Sequence, residues 1–126
     1  MKQITVTKIF TFDAAHKLPN YDGACANLHG HTYHLEVSVR GEPDLKSGMV
    51  IDFKQLDFIV GTILKDLDHS YLNDTFENPT AENLAEYLFG TIEILLKNNQ
   101  QEAKVSKIKL YETPTSFVEV ENIRDI

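Results

Sequence analysis

The chain has one cysteine, Cys25, in 126 residues. No internal disulfide can form, and a lone thiol fits a reducing, cytoplasmic setting. Long apolar runs are also missing. No stretch approaches the roughly 20 residues needed to cross a bilayer. The opening Met1-Lys2-Gln3-Ile4-Thr5-Val6 runs straight into an alternating pattern, so no signal peptide is expected. Positive charge is scarce: 12 Lys and Arg against 19 Asp and Glu leave a net charge of −7. That argues against a protein that coats nucleic acid. It leaves room for an anionic small molecule, because a few local basic groups can overcome a modest global field. Repeats and low-complexity segments are absent. What remains is an ordinary globular composition, 42% hydrophobic and 25% charged, with length enough for a single domain over residues 1–126 and a real core.

Hydrophobic spacing predicts the elements. Ile4, Val6, Phe10 and Phe12 occupy even positions, which reads as a strand over 4–12. Residues 13–30 hold Pro19, Gly23 and Gly30 and read as a long loop, of the kind that is functional or disordered. Tyr33, Leu35, Val37 and Val39 alternate with His34, Glu36, Ser38 and Arg40, a strand over 31–40 with one buried face. Asp52, with Gln55 three residues on, signals a helix start of the capping-box kind. Phe53, Leu56, Val60, Ile63, Leu64 and Leu67 then recur at helical spacing. Thr80 after Pro79 starts a second helix, with the stripe Leu84, Leu88, Ile92 and Leu95. It ends at Asn98-Asn99. Strands over 104–112 and 116–121 follow. The order ββααββ with short connections predicts an α+β domain: a four-stranded antiparallel sheet with two helices on one face. Its exposed edges invite assembly into a larger barrel.

Three of the five histidines gather around the first loop. His29 and His31 are two apart, so in extended chain they face the same side. Gly30 between them lets the backbone bend. His16 closes the first strand. Three imidazoles suit Zn²⁺, and three protein ligands leave a fourth position open, as in catalytic sites. Cys25, four residues before His29, has two readings. Beside a cation its thiolate can serve as base or nucleophile, or it can fill the fourth zinc position and make the site structural. His34 is out of phase with His31 and reads as a surface or supporting residue. Asp68-His69 ends the first helix, where a histidine also complements the helix dipole. Glu112 shares a face with Ile108 and Leu110, so it points inward at a strand end unless it reaches solvent. An inward carboxylate requires donors, such as the paired N–H groups of a guanidine-like ring edge.

Six segments then stand in one order. They are Phe12-Asp13-Ala14-Ala15-His16-Lys17-Leu18, Cys25-Ala26-Asn27-Leu28-His29-Gly30-His31, Gly48-Met49-Val50-Ile51-Asp52-Phe53, Leu67-Asp68-His69-Ser70-Tyr71-Leu72-Asn73, Pro79-Thr80-Ala81-Glu82-Asn83 and Glu112-Thr113. Together they resemble the 6-pyruvoyl-tetrahydropterin synthase family, over about Phe10 to Glu119. The spacing of Cys25 and His29 is similar to that of the bacterial 6-carboxy-5,6,7,8-tetrahydropterin synthase branch of queuosine biosynthesis. The resemblance implies a tunnelling fold and a homohexamer, a dimer of trimers with active sites at subunit interfaces. It implies zinc on His16, His29 and His31, Cys25 as general base, and Asp68 and His69 as a proton relay. Glu112 is implied as pterin anchor and relay member, Thr80 as part of the pterin pocket and Lys17 as a triphosphate contact. The implied reaction converts 7,8-dihydroneopterin triphosphate to 6-carboxy-5,6,7,8-tetrahydropterin, acetaldehyde and triphosphate. The rival readings are a 6-pyruvoyl-tetrahydropterin synthase, which eliminates triphosphate only, and a non-catalytic zinc-stabilised module.

Overall fold

Alternation carries the first strand further than its hydrophobic stretch suggests. In the computed structural model, which describes residues 2–123, β1 spans Ile4–His16 and β2 spans His29–Gly41. Met1 and residues 124–126, the outer ends of the expected domain, lie outside the described residues. β1 and β2 pair antiparallel along their whole length, from Ile4 opposite Gly41 to His16 opposite His29. The expected loop over 13–30 therefore shrinks to residues 17–28. Its ends were hidden because Asp13, Ala14, Ala15 and Gly30 are weak strand formers, ordered here by the ladder. Gly30 does not bend the chain. It pairs with Ala15, and a Cβ there would meet Ala14 O at an ordinary 3.6 Å.

α1 (Phe53–Leu67) starts where Asp52 caps it, the carboxylate accepting from Lys54 N–H at 2.8 Å. That bond removes one of the orphan donors of the first turn and is worth about 1 kcal/mol. Leu56, Ile59, Val60, Ile63, Leu64 and Leu67 form its buried face. Phe53 is exposed instead, because it sits at the first turn, beyond the reach of the sheet. α2 (Ala81–Asn98) is capped by the Thr80 hydroxyl, which accepts from Asn83 N–H at 3.1 Å. It buries Leu84, Ala85, Leu88, Ile92 and Leu96.

Between the helices a two-residue strand, β3 (Ser70–Tyr71), pairs in parallel with Ala14 and Ala15 of β1. The sheet thus has a fifth strand, and one parallel neighbour, beyond the four antiparallel strands expected. Two residues are too few to show a period. β4 (Lys104–Thr113) and β5 (Ser116–Glu121) complete the order β3-β1-β2-β4-β5. Phe12, Tyr33, Leu35, Val37, Val39, Ile108 and Leu110 face the two helices and form one core with them. The other face is largely polar: Thr7 and Ser38 share a hydrogen bond at 2.7 Å, and Lys107 pairs with Glu119 at 3.0 Å, alongside Ile9 and the packed rings of Tyr111 and Phe117.

Candidate metal centre and active site

The β1–β2 ladder places the histidines. Directly opposed residues of an antiparallel pair share a face, so His16 and His29 meet across the last rung, and His31 sits opposite Ala14. All three lie on the helix-bearing face, continuing the row of Phe12, Tyr33 and Leu35. One nitrogen from each ring lies within 4.8 Å of the others. His16 is 1% exposed.

Protons decide what this cluster is. The Nδ1 of His16 is 2.7 Å from the Pro79 carbonyl, and the Nδ1 of His29 is 2.7 Å from the Asn27 carbonyl. A carbonyl has no proton to give, so each ring donates from Nδ1 and keeps a lone pair on Nε2 when neutral. Those two Nε2 atoms are 3.1 Å apart. Two lone pairs at that distance repel unless a cation sits between them. The third ring adds to this. His31 Nε2 is sealed from solvent and has no hydrogen-bond partner. Burial, and secondarily the neighbouring rings, hold the His31 imidazole below its ordinary pKa of 6.5, against the pull of Glu112. A neutral, unpartnered imidazole is ready to ligate. The donor set fits a divalent ion such as Zn²⁺.

Glu112 reaches the same place by a bulge. Tyr111 pairs with Phe117 and Thr113 with Ser116, so Glu112 is the extra residue on β4, and a bulge re-aims a side chain. Its two oxygens lie 3.9 Å from His16 Nε2 and 3.8 Å from His31 Nε2. Both distances exceed hydrogen-bond reach, so the carboxylate acts on the rings by charge and keeps its lone pairs for other donors. The same charge, after burial, raises the pKa of the Tyr33 phenol. Cys25 lies half-buried in a single turn of 3₁₀-helix, Ala24–Ala26. It does not join the three nitrogens within 4.8 Å.

A second cluster occupies the neighbouring strand edge. Asp68 Oδ1 lies 3.1 Å from His69 Nδ1 and accepts from Asp13 N–H at 2.9 Å. That backbone bond, foremost, holds the Asp68 carboxyl below its ordinary pKa. The side chains meet because the helix has ended: His69 takes a left-handed φ of 60°, and its N–H donates to Asp13 O at 2.6 Å. Adjacent residues within a helix would not face each other. A depression of about 460 Å³ is lined by Asp13, Thr32, His69 and Ser70 together with His31.

The remaining expected residues lie outside both clusters. Thr80 caps α2, while its neighbour Pro79 supplies the carbonyl that holds His16. Lys17 is anchored by its backbone to Asn73, with bonds of 3.0 and 2.8 Å, and its side chain is exposed. His34 lies on the polar face, 3.7 Å from Glu36. Sequence reasoning missed Asp13 and the Pro79 carbonyl. Asp13 looked like loop, and a backbone acceptor has no residue-type signature. A larger hollow of about 870 Å³, lined by Gly41, Met49, Val50 and Ala103 among others, holds none of these groups. It opens at the far end of the strands, roughly 40 Å of extended chain away.

Similarity to known proteins supplies the family. A 6-carboxy-5,6,7,8-tetrahydropterin synthase of Haemophilus influenzae is 39% identical, over 90% of this chain and 96% of its own. A dihydroneopterin monophosphate aldolase of Pyrococcus furiosus is 40% identical, over 88% and 91%. The solved structure of the Caenorhabditis elegans 6-pyruvoyl tetrahydropterin synthase superposes with a TM-score of 0.84 at 30% identity, covering 97% of each chain. The sequence profile described as 6-pyruvoyl tetrahydropterin synthase matches residues 5–123. With the fold, the ordered motifs and this extent of match in accord, the chain belongs to the 6-pyruvoyl tetrahydropterin synthase family.

Proposed function

We propose that the chain is a zinc-dependent 6-carboxy-5,6,7,8-tetrahydropterin synthase. It takes 7,8-dihydroneopterin triphosphate to 6-carboxy-5,6,7,8-tetrahydropterin, acetaldehyde and triphosphate, in the cytoplasmic route to queuosine. The observation that carries the reading is the set of facing imidazole lone pairs beside Glu112, with Cys25 outside the ligand set. That arrangement supports a metal with an open position rather than a closed structural site. The name and extent of the Haemophilus relative support the choice of product.

His16, His29 and His31 would hold the ion, which when bound supplies Lewis acidity toward a side-chain hydroxyl. Cys25 removes a proton from the side-chain carbon of the substrate. His69, oriented by Asp68, passes protons at neutral pH. The Glu112 carboxylate accepts from the paired N–H donors of the pterin ring. Thr80 borders the pterin, and Lys17 meets the phosphates. Cys25 lies on the loop over 17–28, and the Asp68–His69 pair at the end of α1, just before β3. Neighbouring copies in a homohexamer bring them together, and the exposed edge strands β3 and β5 are suited to that assembly.

Product identification by mass spectrometry tests the reading. The expected result is 6-carboxytetrahydropterin with acetaldehyde. Triphosphate release without acetaldehyde would instead make the chain a pyruvoyl-type enzyme. Turnover of the monophosphate alone would place it with the Pyrococcus aldolase. Replacing Cys25 by Ala is expected to cut turnover about 10²–10⁴-fold, the usual worth of a general base, with zinc still bound. Loss of zinc in that variant would make Cys25 a ligand and end the catalytic reading.

A further inference from the structure

We infer that Asn83, on α2, is a positioning residue for the metal, acting through the Pro79 carbonyl on His16. The inference rests on the metal reading above and adds a residue to it. His16 is the most buried of the three histidines. Its Nδ1 has a close partner, Pro79 O at 2.7 Å, and a distant one, the Tyr33 hydroxyl at 3.4 Å. The short contact governs. If Pro79 O moved away, the Tyr33 hydroxyl could donate to Nδ1 instead. The proton would then sit on Nε2, and the ring would offer no lone pair to the cluster.

The carbonyl of Pro79 is aimed by its neighbours. Asn83 Nδ2 donates to the Asn78 carbonyl at 2.8 Å, and Thr80 N–H donates to the same oxygen at 2.9 Å. Asn83 N–H in turn donates to Thr80 Oγ1 at 3.1 Å. Asn83 thus grips the residues on both sides of Pro79, whose own φ is fixed by its ring. The peptide carrying the His16 acceptor is clamped at both ends. The Pro-Thr-x-Glu-Asn motif then has a physical task at the metal, in addition to starting α2. Asn83→Asp would keep the backbone bond to Thr80 and would suit the positive first turn of the helix. It has no proton for the Asn78 carbonyl.

The test uses the full chain, with zinc affinity measured by chelator competition near neutral pH and the melting temperature of the metal-free protein measured separately. Asn83→Asp is expected to weaken zinc about 10–100-fold, as loss of a supporting partner does, while the metal-free melting temperature holds. Wild-type affinity in that variant overturns the inference. Should Asn83→Asp fail to fold, Asn83→Ala decides. It deletes the same Nδ2 donor to the Asn78 carbonyl, adds no charge and keeps the backbone bond to Thr80, so a similar weakening of about 10–100-fold is expected, and unchanged affinity overturns the inference. A wild-type chain that binds no zinc removes the metal reading itself, and this inference with it.

Discussion

Two clusters in this molecule look alike by distance and differ in their protons. His16, His29 and His31 lie within 4.8 Å of one another, and so do ligand atoms of Asp13, Asp68 and His69. One depression is lined by members of both, His31 from the first and Asp13 and His69 from the second. In the first, two Nδ1 atoms are committed to carbonyls, two Nε2 atoms face each other and a third has no partner. In the second, every carboxylate has a donor: Asp13 accepts from Thr32 Oγ1 at 2.5 Å, and Asp68 from a backbone N–H and from His69. The first cluster offers lone pairs that a cation could take up. The second is exposed, and each of its carboxylates already accepts from a donor. Proximity of ligand atoms therefore does not make a metal site. The count of lone pairs against protons does.

The sharpest way to break this comparison is to remove one member of each cluster and count metal. Zinc binding worth about 10–16 kcal/mol over four ligands gives roughly 3–4 kcal/mol per ligand. His31→Ala should therefore weaken zinc about 10²–10³-fold. Asp68→Asn should leave zinc affinity unchanged, while lowering turnover through the relay. Metal analysis of both variants checks it. If Asp68→Asn lost zinc and His31→Ala kept it, the two clusters would have been assigned the wrong way round.

That contrast was only partly legible in the sequence. The spacing of His29 and His31 and the position of His16 already pointed to one ion. The strand pairing that makes it so, His16 opposite His29, was not visible, because Asp13, Ala14 and Ala15 do not alternate in hydrophobicity. The contact of Asp68 with His69 was also hidden. It depends on the left-handed backbone at His69, where the helix stops to feed β3, and a two-residue strand leaves no periodic trace. Glu112 was legible as an inward residue by phase with Leu110, yet its aim at two imidazoles comes from a bulge. The α1 face was read apart from Ile59 and the exposed Phe53, and the α2 stripe caught Leu84, Leu88 and Ile92 but not Ala85 or Leu96, since helical spacing is sustained over several turns. Local patterns survive in the sequence, whereas contacts set by register and by backbone carbonyls do not.

Acid should separate the clusters next. Ligation requires neutral imidazoles, so zinc affinity should fall as the medium is made acid. Burial holds the His31 imidazole below its ordinary value of 6.5, which limits that ring's share of the loss. The Asp68 carboxyl, depressed by the Asp13 N–H, runs the other way. Its stabilising contribution is full above its unfolded value near 3.9 and is lost only as pH falls through the lower folded value. Zinc should therefore leave at a pH where the second cluster is still intact. Chelator competition as pH falls, with the Asp68 carboxyl followed by NMR, would show it. Loss of the Asp68 charge before zinc leaves would contradict the assignment.

The smallest expected effect is also the most discriminating about Asp13. Thr32 stands directly opposite Asp13 on the polar face and donates to its carboxylate. Thr32→Val keeps the branched shape that strands favour and deletes only that hydroxyl. Both groups are exposed, so water replaces the lost donor, and the melting temperature should fall by no more than about 2–4 °C. The backbone bonds from Asp13 to Asp68 and His69 do not pass through the Asp13 side chain. The Asp68–His69 pair should therefore keep its geometry, with kcat within about twofold of wild type. A large fall in kcat with an unchanged melting temperature would show that the Asp13 carboxylate itself takes part in proton transfer. The second cluster would then be a three-member relay rather than a pair held by the strand backbone.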